Sequence, residues 1–297
     1  MTDDTRAQAL SELVGLLELE RLEANLFRGQ SQDLGWGNVF GGQALGQALS
    51  AAEQTVPADR ECHSFHGYFL RVGNAKLPII YDVDPIRDGK SFTTRRVKAI
   101  QSGRPIFSMS ASFHVREEGY DHQASAPDAP PPDEVAADQD WMNAHRERMP
   151  APLRDRITAS FPIESRSVDV FDPFRPVAMP PRRRIWVRAA GRLAARPALH
   201  RYLLAYASDL NLLGAALQPH GVSWFTPGMQ VASLDHTMYF HRAFRFDDWL
   251  LYVIESPSAT GARGLAHGRY FDRAGRLVAS TVQEGLIRDH EWPRSDS

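Results

Sequence analysis

Residues 66–71 read HGYFLR and residues 237–242 read TMYFHR, so Tyr68, Phe69 and Arg71 return as Tyr239, Phe240 and Arg242 at an offset of 171. Further on, SGRPIFSMSAS at 102–112 returns as AGRLVASTVQE at 274–284, with Gly103 and Arg104 matched by Gly275 and Arg276 one residue out of phase. A single insertion explains the slip. A period this long exceeds that of solenoid and propeller units, and it predicts two domain-sized copies of one fold whose halves can diverge.

Each copy has the same order of elements. In the first, ANLFRG at 24–29 reads as a short strand and GWGNVFGG at 35–42 as a glycine-rich turn. QALGQALSAAEQTV at 43–56 follows as a helix with Ala44, Leu45, Ala48, Leu49 and Ala52 on one stripe. HSFHGYFLRV, PIIYDVDPIR, SFTTRRVKAIQ and PIFSMSASFHV are then strands, parted by turns at Gly73-Asn74, Asp88-Gly89 and Ser102-Gly103. The second copy offers a strand at 184–191, a helix around 198–217 and strands near 230–242, 249–257, 264–273 and 276–288. Between the copies, Pro127, Pro130, Pro131, Pro132, Pro150 and Pro152 mark a linker that holds a helical piece around 134–147. The expected organisation is an N-terminal domain at 1–118, a Pro-rich linker at 119–160 and a C-terminal domain at 161–297. One strand, one long helix and a meander form an α+β unit in which an antiparallel sheet wraps a helix. This is the hot-dog pattern, and two such units make a double hot dog whose sheet edges can pair.

Composition narrows the function. The 297 residues suit about two domains of roughly 150 residues each. Lys+Arg 34 against Asp+Glu 36 gives a formal net charge of -2, so no global field argues for nucleic acid or an anionic membrane surface. The single cysteine, Cys62, excludes internal disulfides and cysteine-rich metal sites and reads as a small apolar strand residue. The acidic N-terminal stretch lacks the basic residues of a signal peptide, and its leucines fall at helical spacing. No apolar run approaches the roughly 18 residues of a membrane span. The terminal Ser-Asp-Ser is not a peroxisomal address, so a cytoplasmic protein without membrane insertion is expected.

Chemistry concentrates in the second copy. In HRYLLAYASDLNLLGAALQ, the helical neighbours of Asp209 are Tyr202, Ala205, Tyr206, Leu212, Leu213 and Ala216. A carboxylate on such a stripe costs several kcal/mol unless it is bonded or protonated. A helix cap or a kink is the plainer reading. Ser233 corresponds by the repeat to Cys62, and Gln283, on a mostly apolar strand face, to Ala111. An isolated strand serine is commonly solvated or bonded to backbone, whereas a glutamine on an apolar face needs partners. The first-half helix shows no inward acid. Acid, hydroxyl and amide together would hold one water molecule, the acid taking its proton.

Other signals are weaker. GWGNVFGG could present backbone N–H groups to a carbonyl oxygen or a phosphate, or pack a helix start on the sheet; it is not a dinucleotide fingerprint. Arg182, Arg183 and Arg184, and Arg263 beside Gly264, suit either phosphates or a solvated face. His63 and His66, spaced by three in a strand, should face opposite ways, as should His236 and His241. No metal and no dedicated cofactor are expected, and no GxSxG elbow or spacing rule sets a histidine beside Ser233.

The stretches VFGGQALGQAL (39–49), HSFHGYFLRVG (63–73), GKSFTTRRVKAIQSGRPIF (89–107), LDHTMYFHR (234–242) and SATGARGLAHGRYFDRAGRLVASTVQEGLIR (258–288) resemble the acyl-CoA thioesterase II family. The resemblance covers both halves. It implies double hot-dog enzymes that hydrolyse acyl-CoA to free acid and coenzyme A and assemble as homo-oligomers, dimers or tetramers. It further implies an attacking water bound by Asp209, Ser233 and Gln283, with serine standing where many relatives have threonine. Gly42 and Gln43 at the first helix, and Arg263, are the accompanying candidates for substrate contact. The substrate expected is a fatty acyl-CoA of medium to long chain, its chain in an apolar tunnel. Two alternatives stay open: a non-catalytic acyl-CoA or acyl-carrier binding protein, and a hot-dog hydratase or dehydratase, against which Gly214 stands where a histidine would be wanted five residues beyond Asp209.

Overall fold

A computed structural model describes residues 3–149, 151, 154 and 161–292; the remainder of the expected linker, with Pro150 and Pro152, and the terminal Ser-Asp-Ser lie outside the described residues. In the first half α1 (Asp3–Leu17) and the hairpin β1 (Glu20–Glu23)/β2 (Leu26–Gly29) precede α2 (Gly41–Glu53). The meander β3 (Arg60–Phe69), β4 (Ile79–Asp88), β5 (Phe92–Gln101) and β6 (Arg104–Val115) follows. A short helix α3 (Asp138–Ala144) leads to the second half: β7 (Ile163–Ser167), β8 (Arg182–Ala189), α4 (Pro197–Ser208) and α5 (Gly214–Leu217). The meander then recurs as β9 (Met229–Ser233), β10 (Asp235–Phe240), β11 (Leu250–Thr260), β12 (Arg263–Asp272) and β13 (Leu277–Asp289).

The strands form one sheet in the order β1-β2-β4-β5-β6-β3-β10-β13-β12-β11-β8-β7, with β9 on β13. Read outward from its middle, the order is the same in both directions, as a duplicated unit requires. At the seam β3 and β10 run antiparallel, from Asp235 opposite Tyr68 to Tyr239 opposite Ser64. The repeated segment thus pairs with its own copy and removes the edge that each half would otherwise expose. The double hot dog is the observed fold: each half-sheet curves around one helix, and the two helices share one apolar core with both inner sheet faces.

Glycines set how closely the two central helices meet. A Cβ on Gly42 would collide with the Tyr206 carbonyl oxygen, and one on Gly46 would stand 3.0 Å from the Tyr202 carbonyl oxygen. These contacts advance along α2 as they retreat along α4, so the helices are antiparallel. Leu45 and Leu49 of α2, both fully buried, each contribute about 1.5–3 kcal/mol of transfer free energy to that core.

Several boundaries differ from the sequence reading. The helix expected across 198–217 ends at Ser208 and resumes only for Gly214–Leu217, because Ser-Asp-Leu-Asn favours side-chain bonds over helix continuation. The strand expected across 230–242 breaks at Leu234. The helical piece of the linker is a 3-10 turn, Pro132–Glu134, followed by α3. The first-half helix, expected to carry no inward acid, ends on Glu53, whose carboxylate is almost enclosed and accepts a hydrogen bond from Arg201 Nη2 at 2.7 Å. The described linker is no free tether. Trp186 Nε1 donates to Pro130 O at 2.9 Å, and Ala126, Ala129 and Val135 pack on a second apolar cluster of Trp186, Trp249, Leu251, Val253 and Phe271 on the outer sheet face.

Replacing Gly42 by Ala should wedge the two helices apart and cost about 1–3 kcal/mol, as overpacking does. A urea midpoint equal to that of the unmodified chain would contradict the close crossing.

Candidate active site

Asp209 occupies the C-terminal cap of α4, an end where the helix dipole opposes a negative charge. It is held there by the other half. Phe40 caps α2 without any side-chain bond, leaving the first N–H groups of that helix for another acceptor. The Gly42 N–H bonds the Asp209 carboxylate. Gly41 must lack a side chain because a Cβ would stand 2.5 Å from Asp209 Oδ2. The antiparallel crossing therefore carries the acid from an unfavourable helix end to a favourable one.

Ser233 and Gln283 meet the same carboxylate. Ser233 Oγ donates to Asp209 Oδ1 at 3.3 Å, and Gln283 Nε2 donates to Asp209 Oδ1 at 2.6 Å. Strand alternation alone would not bring these groups together with their neighbours. Ser233 lies opposite Gly285 while Thr237 lies opposite Val282, so the pairing slips by one residue at Leu234. The slip turns Ser233 and His236, three apart, onto one inner face, as a bulge does. The first half has the same irregularity between Cys62 and Ser64.

His236 completes the group, and no spacing rule pointed to it. Gln283 Nε2 lies 3.2 Å from His236 Nδ1, and Asp209 Oδ1 lies 4.0 Å from it. On its far side, His236 Nε2 is 2.9 Å from both Ser208 Oγ and Thr281 Oγ1. The ring is fully buried and stacks on Phe65 across the seam, and burial pushes its pKa down to about 3. The repeat held the missing signal. Offset 171 aligns His236 with Phe65, just as Ser233 aligns with Cys62.

The Asp209 carboxyl is pushed above the usual carboxylate range, chiefly by burial; hydrogen bonds from Gln283, Ser233 and the Gly42 N–H oppose that shift. Gln283 Oε1 is buried without a hydrogen-bond partner among the described residues.

The remaining sequence candidates are placed differently. Gln43 directs its backbone N–H to Phe40 O, and its side chain to Gln30, Gln32 and Gln47. Arg263 donates to Glu284 Oε1 at 3.0 Å on the outer sheet face, away from the inward Gln283. Within the arginine run, Arg184 pairs with Asp169 while Arg183 turns inward and donates to Asn211 Oδ1. The bulge at Cys62 sets His63 against Phe92 and His114 on the outer face that also carries His66, against the expectation of opposite faces. Among the described residues, no group of three or more His, Cys, Asp or Glu side chains is placed to hold a metal ion, and no helix is long and apolar enough to cross a membrane. A cavity of about 270 Å³, whose wall includes Leu34, Trp36, Met142, Phe161, Val187 and Leu210, lies against the loop that leads into α2 and the turn that follows Asp209.

Residues 31–114 match the family model for the acyl-CoA thioesterase N-terminal domain, and residues 152–286 match that for acyl-CoA thioesterase. The chain is also 42% identical over 282 residues to acyl-CoA thioesterase 2 of Haemophilus influenzae, covering 95% of this chain and 99% of that one. The chain belongs to the acyl-CoA thioesterase family. Among solved structures, this thioesterase superposes on an acyl-CoA thioesterase II, TesB2, from Mycobacterium marinum with a TM-score of 0.75 and 40% identity, covering 93% of this chain and 98% of the other. A hot-dog protein from Alicyclobacillus acidocaldarius, 19% identical over 93% of this chain and 98% of its own, shares the fold alone, with a TM-score of 0.73.

The raised Asp209 pKa has a sign that can be checked. A folded-state pKa above the unfolded value adds stability at low pH that is lost as pH rises through the folded value. Asp209→Asn should therefore melt at or above the wild-type temperature, with a margin that widens from acid to neutral pH. A margin that narrows over that range in paired thermal melts would reverse the assignment.

Proposed function

We propose that this thioesterase hydrolyses fatty acyl-CoA of medium to long chain by direct attack of a water molecule bound by Asp209, Ser233 and Gln283. The convergence of an acid, a hydroxyl and an amide on Asp209 Oδ1, with Gln283 Oε1 left without a partner, is the observation that carries this reading. The water gives one proton to the Asp209 carboxylate and its oxygen bonds the thioester carbonyl carbon; the C–S bond then breaks and the sulfur takes the proton, yielding free acid and coenzyme A. Raising the acid's pKa by burial makes it a better acceptor for that proton. The charge that develops on the carbonyl oxygen falls to the N-terminal end of α2, where the dipole favours an anion, beside the Gly42 N–H that already serves Asp209.

Burial of His236 argues against two competing chemistries. Its ring nitrogens are engaged by Gln283, Ser208 and Thr281, so it has none to spare for activating Ser233 as a nucleophile. A dehydratase would need that histidine to reach substrate, and it is wholly enclosed. The largely apolar cavity beside Leu210 is suited to the acyl chain.

Coenzyme A thiol release across a series of acyl-CoA lengths should peak at medium to long chains. Asp209→Asn and Gln283→Ala should each lower kcat by about 100-fold or more, and Ser233→Ala by about tenfold. Ser233→Thr, with its stiffer rotamer, should match or exceed the parent, while Cys62→Ala leaves turnover unchanged. Full activity in Asp209→Asn would end this reading.

A further inference from the structure

We propose that His236 is a positioning residue that fixes which end of the Gln283 amide faces the attacking water. The inference rests on the water-binding reading above and adds the element that gives it polarity. Ser208 Oγ donates its hydrogen to Ala205 O at 2.8 Å, and Thr281 Oγ1 donates its own to Thr237 O at 2.7 Å. Both hydroxyls can therefore only accept from His236 Nε2, which must carry the ring hydrogen. A neutral ring with its hydrogen on Nε2 leaves Nδ1 as an acceptor.

That acceptor faces Gln283 Nε2, whose other hydrogen goes to the acceptor-only carboxylate of Asp209. Both amide hydrogens are thus committed, and Oε1 is the end left over. A water donating one hydrogen to Asp209 and the other to Gln283 Oε1 keeps one lone pair for the carbonyl carbon when the Ser233 hydroxyl turns from Asp209 to donate to the second. With the amide reversed, its NH2 would donate to the water and engage the lone pair that must attack, while Oε1 would repel the carboxylate. His236 touches neither water nor thioester in this arrangement. It acts through Gln283.

Two substitutions separate this role from simple packing. His236→Asn can place Oδ1 where Nδ1 stands and keep an acceptor for Gln283; His236→Gln reaches toward Ser208 and Thr281 but leaves Gln283 without one. His236→Asn should retain kcat within about tenfold of the parent, whereas His236→Gln should fall about 100-fold with KM little changed, both melting as folded proteins. If His236→Gln turns over as fast as His236→Asn while Gln283→Ala is inactive, the positioning role is refuted and the water-binding reading stands. If Gln283→Ala is itself fully active, both fall together. Nitrogen-15 NMR of the histidine-labelled wild-type protein tests the tautomer without any substitution: a neutral ring with hydrogen on Nε2 is expected, and hydrogen on Nδ1 overturns the proposal.

Discussion

One buried carboxylate governs the arrangement of this molecule. Asp209 sits at the wrong end of its own helix, in a core that penalises charge, and it is held by the Gln283 amide, the Ser233 hydroxyl and, from the other half, the N–H at the start of the opposing helix. That requirement explains why two glycines open α2, why Gly42 and Gly46 let the helices touch, and why the crossing is antiparallel. It also changes how the duplication is understood. The second half supplies the acid, hydroxyl, amide and imidazole; the first supplies the helix end that makes the acid tolerable. Neither half is a complete site.

The opposite end of the same helix pair shows what became of the duplicated position. There Glu53 closes α2, and Arg201 of α4 donates to it at 2.7 Å while also lying 3.6 Å from Glu61 Oε2. Burial raises the Glu53 pKa and the guanidinium pulls it back. A guanidinium pairs with this acid, whereas Asp209 meets an amide and a hydroxyl. Such a buried pair adds little net stability, but removing one partner would strand a charge. The first half keeps an acid at its helix end and neutralises it, with Cys62, Phe65, Met109 and Ala111 around the position where Ser233, His236, Thr281 and Gln283 stand in the second.

Much of this was legible in the residues. The double copy and the strand meander follow from comparing the chain with itself, because duplicated units keep their turn residues and apolar spacing; the same comparison singles out Ser233 and Gln283, and Asp209 stands out by its apolar helical neighbours. His236 escaped because alternation counted from Ser233 sends it to the wrong face, and only the slip in pairing restores it. Glu53 escaped because a terminal helix residue looks solvated until the partner helix covers it. The linker's part in a second core escaped for another reason: proline-rich composition reports stiffness and lack of periodicity, and says nothing of the tryptophans it covers.

The slip at Leu234 and its counterpart after Cys62 have a consequence for redesign. Because each half already spends one unpaired residue at the same place, Cys62 and Phe65 share the inner face just as Ser233 and His236 do. The first half therefore has the backbone parity that a polar cluster needs. What it lacks is the polar side chains, so point substitutions there would be grafted onto a frame of the right phase, whereas inserting or deleting one residue near Leu234 would turn the strand segment that carries Ser233 inside out.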